Sequence, residues 1–523
     1  MLKSSCGWFI KQLLSKGKIM KTRQNGKFDW TEVSGTVMAL LWFAVFPLWN
    51  GGSYAHITKD KWLGMSILTG LSVILCLLSV IPVMKKKKAA FLYPEKPSPS
   101  MFAVYVLGIF LLLWLGLACC FGAWHTQLNP QGQPAVLFGF IRYDGFITML
   151  TCALVFLCMS LAKPRIRIVL WGAAIALDLA FLLAAVQYFN VNPLGLFPKG
   201  TGILQNYEFQ STIGNIDFVS LYICLLLPLM LGAWLLEPGG VFFLASALLG
   251  VEWLLCMDVK SSLLVLLAIC FFSGLTAFRF ARYRAKMLAF LGGVFVMLSL
   301  RRMIRLPWLD GVKALSFFCS GEALLPLLPA LLLLAAAFFC RHHPGQDVPK
   351  RLFWIITLIS LLLSIISFLL LNLPESTGSL WEIQQVLKGQ PEGRFGSSRV
   401  AVWEHAWHLA LKHPVFGLGP GTFYFGLQSH LTEEGATLPE TFDSAHSMPL
   451  DVLMSGGFPA LACWLGLLGL LIIRGLRRGG WNAVFALSMA AYLLEGLFVF
   501  SVCVISPVFW AAAGLCCAVR RNK

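Results

Sequence analysis

Apolar windows of roughly 18 or more residues recur along the whole 523-residue chain, and a window of that length is the signature of a segment that crosses a bilayer. Lipid offers no water to backbone N–H and C=O groups, so a spanning segment must be a helix or a strand of a closed barrel. Barrel strands alternate apolar and polar residues, whereas these windows are continuous, which excludes a barrel. The expected fold class is therefore all-α, a polytopic transmembrane helical bundle. Charged residues make up only 12% of the chain and hydrophobic ones 58%, where soluble domains run near 25% charged.

The spans read as approximately 34–52, 62–84, 101–122, 143–162, 168–188, 213–236, 241–257, 261–280, 287–303, 322–340, 352–371, 446–473, 482–500 and 502–519. That makes about 14 spans. The expected layout is a basic N-terminus at 1–33, a bundle of about 11 spans at 34–371, a large loop at 372–445, C-terminal spans at 446–519 and a short tail at 520–523.

A net charge of +17 raises the question of nucleic acid, and the distribution of the charge answers it. With the N-terminus inside, 28 of the 41 Lys and Arg residues fall on the cytoplasmic side, as short inner loops require. The basic charge is topological, the partner is the lipid bilayer and no nucleic acid is expected. The N-terminal 30 residues lack an apolar core of their own, so the first span is expected to act as anchor rather than as part of a cleaved signal. Most of the fifteen cysteines lie in spans or on the inner side without a CxxC, which implies neither a disulfide framework nor a zinc site.

Polar chemistry gathers in the 74 residues from Asn372 to Ala445. A long polar loop on a membrane scaffold is the natural place for function. Ser397 or Ser398 can cap a helix running RVAVWEHAWHLALK, with Arg399 in its first turn and Arg394 just before it. Val400, Trp403, Trp407 and Leu411 recur on one side and Glu404, His408 and Lys412 on another, the pattern of a helix lying in the membrane interface. His405 and His408, with Glu404, offer metal ligands, but zinc needs a third ligand in register and none is evident, so no metal is assigned. The helix should stop at His413-Pro414. VFGLGPGTF follows, and Gly417 and Gly419 leave backbone amides free to approach a phosphate or sugar. His446 then meets the next span.

Other candidates lie at span boundaries. Arg142, in LFGFIRYDGF, either snorkels to lipid phosphate or faces an anionic substrate group that its planar fork can grip. Asn206, Asn215 and Asp217 can meet sugar hydroxyls, and helix capping accounts equally well for Ser211 and Thr212. Lys260 has Asp258 beside it as a local ion-pair partner. Arg301, Arg302 and Arg305 fall on the outer side against the charge rule, where either an anionic headgroup or a misplaced ninth span, the weakest of the fourteen, would account for them. Asp178 and Glu495 are carboxylates inside spans.

Together these pieces resemble the O-antigen ligase and O-antigen polymerase family. An arginine leads an amphipathic tryptophan helix, then come Pro414-Val-Phe-Gly417-Leu-Gly419 and Ala445-His446 at the head of a span. Upstream, FIRYDGF and STIGNIDFVSLYICLLLPL resemble the family's entries to two spans. The resemblance covers roughly residues 135–515. It implies a GT-C-like glycosyltransferase working on the extracytoplasmic face of the plasma membrane, N- and C-termini cytoplasmic, without cofactor or metal. The donor would be a polyprenyl-diphosphate-linked glycan and the acceptor a saccharide hydroxyl. It further implies that His446 acts as base or orients the acceptor, and that Arg399 and Arg142 meet the diphosphate. A third family arginine falls at Lys260, which keeps the charge but loses the fork; Ser447 and Ser455 stand where the family has Asn and Glu. The rival class is a flippase for lipid-linked saccharide. A midplane nearly free of charge and polar chemistry on one face argue against it.

Overall fold

The computed structural model describes residues 30–85, 99–189, 191–197, 209–237, 240–257, 259–304, 327–343 and 379–518, with scattered positions between 345 and 366. Among the described residues regular structure is helical throughout, apart from one isolated bridge between Leu128 and Pro134. Among the described residues six helices are long and apolar enough to cross a membrane: Trp30–Leu48, Tyr54–Ser79, Pro99–Phe121, Ile166–Gln187, Ile216–Leu236 and Met448–Arg478. Shorter apolar helices occupy Phe146–Leu161, Val241–Met257, Lys260–Gly274, Leu327–His342 and Ser506–Ala518. Helices also stand where spans were expected at 287–303, as Ala281–Ile304, and at 482–500, as Gly480–Glu495. The expected span at 352–371 lies largely outside the described residues.

The chain divides into two compact units, one made of Met1–Leu229 with Ala401–Lys523 and the other of Met230–Val400. In the second unit Ala281–Ile304 packs on Leu327–His342 and Lys260–Arg279. Lys286 there donates to the carbonyl oxygens of Trp234, Leu235 and Glu237 at 2.6, 3.2 and 3.1 Å. It thereby satisfies carbonyls that the end of the Ile216–Leu236 helix leaves without intrahelical donors.

In the first unit Met448–Arg478 packs along Pro99–Phe121, and Ser506–Ala518 along Phe146–Leu161. Gly514 allows the second approach, since a Cβ there would meet the Phe156 carbonyl oxygen at 2.7 Å. The exposed leucines and phenylalanines of Pro99–Phe121, such as Phe102 and Leu113, suit a face turned to lipid.

Met448–Arg478 is not one continuous helix. Gly456 and Gly457 leave helical geometry, and the break frees backbone groups that must find partners inside an apolar environment. In an unbroken helix the Phe458 N–H would donate to the Met454 carbonyl. Here Phe458 N donates instead to Pro414 O at 2.9 Å, and Met454 O accepts from Leu418 N at 2.7 Å. The Gly456 carbonyl accepts from the Trp114 indole at 2.9 Å. One intrahelical bond is thus exchanged for two bonds to the PVFGLG turn of the loop, which is seated in the kink. Gly417 has φ +64, and a Cβ on it would meet Met454 O at 2.4 Å.

Gly457 has φ 70 and ψ −170, backbone territory that is essentially glycine's alone. A Cβ there would lie 2.4 Å from the carbonyl oxygens of both Pro414 and Val415. Gly457→Ala is therefore expected to lower stability by on the order of 3 kcal/mol, read as a lower melting temperature of detergent-purified protein. Gly469→Ala, where added bulk meets nothing within 4 Å, should leave it unchanged.

Candidate active site

From Ala401 onward the loop folds as a small helical body in the first unit. Arg399–Lys412 ends just before His413-Pro414, and Phe423–Glu434 follows the glycine turn. The inward face of the first of these helices is Val402, Ala406, Leu409 and Ala410, packed with Leu418, Leu427, Leu431 and Leu453. The stripe of Val400, Trp403, Trp407 and Leu411 lies outside this packed face. Trp407 and Leu411 are exposed, while the Trp403 indole donates to the Ala445 carbonyl at 2.9 Å. Small side chains let the helix approach its neighbours closely and leave the larger ones outside. Ser397 and Ser398 both have left-handed φ, 57 and 65, rather than the extended geometry of a capping residue.

That tryptophan bond is half of a clamp on the residue before His446. The Ala445 N–H donates to Asp451 Oδ1 at 2.8 Å, so both backbone groups of Ala445 are held from opposite sides. His446 itself has φ 48, an unusual conformation for a residue with a Cβ. Past it, Met448 N donates to Gly496 O at 2.8 Å and Asp451 N to Ser447 O at 2.8 Å.

Phe500 brings the two strongest candidates together. The Arg142 guanidinium carbon lies 4.5 Å from its ring centroid, within cation–π range. The His446 ring packs against the same phenylalanine at 4.7 Å, with Phe442 at 5.7 Å on it as well. Arg142 Nε donates to Asp443 Oδ2 at 2.5 Å. Among the described residues no other hydrogen bond engages this guanidinium, so its terminal nitrogens remain available.

Arg142 leaves a turn that glycines make possible. A Cβ on Gly139 would meet an Asp144 carboxylate oxygen at 2.1 Å, and one on Gly421 of the loop would meet Gly139 Cα at 2.6 Å. The stacked rings of Phe140 and Tyr424, 4.1 Å apart, join that turn to the Phe423–Glu434 helix. Tyr143, at φ 55, has its carbonyl held by the Thr148 hydroxyl at 2.5 Å.

Asp144, Asp443 and Asp451 lie close enough to one another and to Arg142 for their charges to interact. Burial, and then the charge of Asp443, push the Asp144 carboxyl up from 3.8 to about 6, against the pull of its backbone amide and Arg142. The three carboxylates and Phe500 were not among the sequence candidates. Asp443 and Asp144 each stand two or three positions from one, which was the only signal.

The remaining candidates are placed as follows. Asn215 Oδ1 accepts from Asp217 N at 2.8 Å and opens the Ile216–Leu236 helix; Asn206 and Asp258 lie outside the described residues. Ser211 and Thr212 are not caps but tertiary donors, to Ala180 O and Pro47 O, both at 2.7 Å. Gly417 N donates to His413 O, so this amide and that of Leu418 are engaged by the protein itself. Lys260, Arg301, Arg302, Arg394 and Arg399 belong to the second unit. Lys260 is the first residue of its helix, and Arg301 and Arg302 are helical positions near the end of Ala281–Ile304. Arg305 lies outside the described residues. Arg394 forms an exposed pair with Glu392 at 2.7 Å, and Arg399 is half-buried at its helix start. Glu495 is fully buried and accepts from Ser220 at 2.7 Å.

Residues 244–465 match the family model described as O-antigen ligase. The matched segment agrees with the family that the motifs resemble, and it takes in Lys260, Arg399, the glycine turn and His446. No curated protein matches the chain.

The raised carboxyl has a defined consequence for stability. Folded Asp144 holds its proton more tightly than the unfolded chain does, so the associated stability is complete below pH about 4 and is lost as pH rises through about 6. Asp144→Asn should melt as wild type does at pH 4 and above it at pH 7. An equal gap at both pH values would show that Asp144 ionises normally.

Proposed function

We propose that this membrane protein is a glycosyltransferase that transfers or polymerises a glycan from a polyprenyl-diphosphate donor onto a saccharide hydroxyl at the extracytoplasmic face. The observation that carries the proposal is the sharing of Phe500 by Arg142 and His446, two groups more than 300 residues apart in the chain. The O-antigen ligase match supports the reaction class. The excess of basic residues on the inner side supports a plasma-membrane bundle of about 14 spans with both termini in the cytoplasm.

The reaction requires three things, and two of them fall to these residues. The acceptor oxygen attacks the anomeric carbon as the bond from that carbon to the diphosphate oxygen breaks. The leaving diphosphate keeps the electron pair, and the acceptor proton must go to a base. A sugar hydroxyl does not ionise unaided near neutral pH, and a neutral imidazole at His446 takes the proton during attack. Negative charge develops on the diphosphate oxygens, where the terminal nitrogens of Arg142 donate two parallel hydrogen bonds. Phe500 holds both groups at the same spot and excludes water from it. The third requirement, a path for the polyprenyl tail, is met when the reacting end lies at the head of a span with lipid beside it. One displacement gives inversion at the anomeric carbon.

Arg399 begins the helix whose Trp403 clamps Ala445, and we assign it, with Lys260, to the anionic part of the donor. Arg394, Arg301, Arg302, Arg305 and Asn215 are proposed as weaker contacts to headgroup or sugar.

The test is the chain-length profile of lipid-linked glycans in cells lacking the protein, with wild-type and variant copies returned. Arg142→Ala should reduce transfer by about 10²–10³-fold, with Arg142→Lys recovering only part of it because the fork is lost. His446→Ala should reduce it by about 10²–10⁴-fold. Accumulated single repeat units identify a polymerase, and long chains held on the lipid identify a ligase. Full rescue by His446→Ala removes the base, and an unchanged glycan profile in the deletion strain overturns the glycosyltransferase assignment.

A further inference from the structure

The loop holds a second cluster, separate from Arg142 and His446. His430 and Glu434 stand one turn apart on the Phe423–Glu434 helix, and His405 faces them from the helix that ends at Lys412. Their ligand atoms all lie within 4.8 Å of one another. His405 Nδ1 is 3.5 Å from Glu434 Oε2, and His430 Nε2 is 3.3 Å from Glu434 Oε1. Tetrahedral zinc with ligands at about 2.0–2.1 Å places neighbouring ligand atoms about 3.3–3.4 Å apart, so the two histidine–carboxylate distances are close to that spacing and the cluster would need only a small contraction around an ion.

A second observation points the same way. His405 Nδ1 and His430 Nε2 are both buried nitrogens that make no hydrogen bond. His430 is 1% exposed, so its nitrogen has no water to compensate, and an unsatisfied buried polar atom is costly. Two such nitrogens directed at one carboxylate are what a bound cation would satisfy.

We propose that His405, His430 and Glu434 form a site for a divalent transition-metal ion of zinc-like preference, which staples the helix carrying His405 to the Phe423–Glu434 helix. Two imidazoles and one carboxylate are a borderline-soft donor set, suited to zinc rather than to calcium or magnesium. The carboxylate end of the site is partly exposed, with Glu434 side-chain exposure at 41%, which gives the ion an entry path and leaves a fourth position to water. Lys412 Nζ lies 3.3 Å from His430 Nδ1 and 3.0 Å from Glu433 Oε2. On binding, Nδ1 carries the ring proton and Lys412 stays with Glu433. His408, whose ring centroid is 6.2 Å from that of His430, sits at the margin. The role assigned is structural: the ion would fix two helices of the loop and takes no part in the transfer chemistry.

The experiment uses untagged, full-length protein in lipid nanodiscs, stripped with chelator and titrated with Co²⁺. One equivalent should bind with the visible absorption of a four-coordinate ion and be displaced by Zn²⁺. His405→Asn, His430→Asn and Glu434→Gln should each weaken binding by about 10-fold or more. Glu434→Gln alters a partly exposed side chain, so it serves if a histidine variant fails to fold. Zn²⁺ should also raise the melting temperature of the wild type and not that of Glu434→Gln. Absence of the cobalt spectrum in wild type, or wild-type affinity in Glu434→Gln, would overturn the proposal.

Discussion

The exchange of backbone hydrogen bonds at the Gly456–Gly457 kink is the contact on which the rest of the first unit depends. Breaking a helix within an apolar bundle leaves a donor and an acceptor unpaired, each costing a few kcal/mol if it stays so. The PVFGLG turn supplies both partners, through Pro414 O and Leu418 N, so the kink and the turn each require the other. The consequence reaches along the chain in both directions. The turn anchors the helix before it, whose Trp403 holds Ala445, and the helix after it, whose Tyr424 stacks on Phe140 beside Arg142. A membrane helix and a water-facing loop are thereby locked as one piece around His446.

The charges at the site make sense in that setting. Arg142 stands among three carboxylates, which looks unfavourable for an anionic donor until the geometry is followed. Asp443 takes only Nε, orienting the guanidinium while leaving its terminal edge open. Asp451 spends one oxygen on the Ala445 amide, acting on the backbone that carries His446. Asp144, raised to about 6, gains protons within the range in which it would otherwise repel a phosphate. In the proposed reaction the carboxylates position the arginine and the histidine, and their spare oxygens suit sugar hydroxyls, which donate, better than diphosphate, which does not.

Helix positions were legible in the sequence because lipid removes alternatives: a continuous apolar window has to be a helix, and its ends follow from the basic and proline-rich flanks. The end of Arg399–Lys412 at His413-Pro414 was legible for the local reason that proline restricts the residue before it. Which face that helix buries was not. Tryptophan and leucine carry the strongest hydrophobic signal, but Val402, Ala406 and Ala410 permit closer packing, and close packing decided the face. Arg142 and His446 could be singled out because each stands at a span boundary. Asp443 and Phe500 could not, since their contacts arise only when distant segments meet. On its own helix His405 has His408 close by in sequence, whereas the two groups that the fold brings to it, His430 and Glu434, lie on the next helix.

The backbone at the site is the last piece of the same logic. Tyr143 and His446 both adopt left-handed φ, 55 and 48, at a cost on the order of 1 kcal/mol or more for each residue. Neither conformation would survive alone. Tyr143 is held by Thr148, and the chain around His446 is held by Trp403, Asp451 and Gly496. A relaxed backbone at either position would turn Arg142 or His446 away from Phe500, because a side chain follows the φ of its own or the adjoining residue. The strain is therefore offset by contacts that come from four separate segments of the chain, and what it secures is direction. In the proposed reaction both groups point at one place before any substrate arrives, which is the condition for stabilising a transition state without reorganising the site during the reaction.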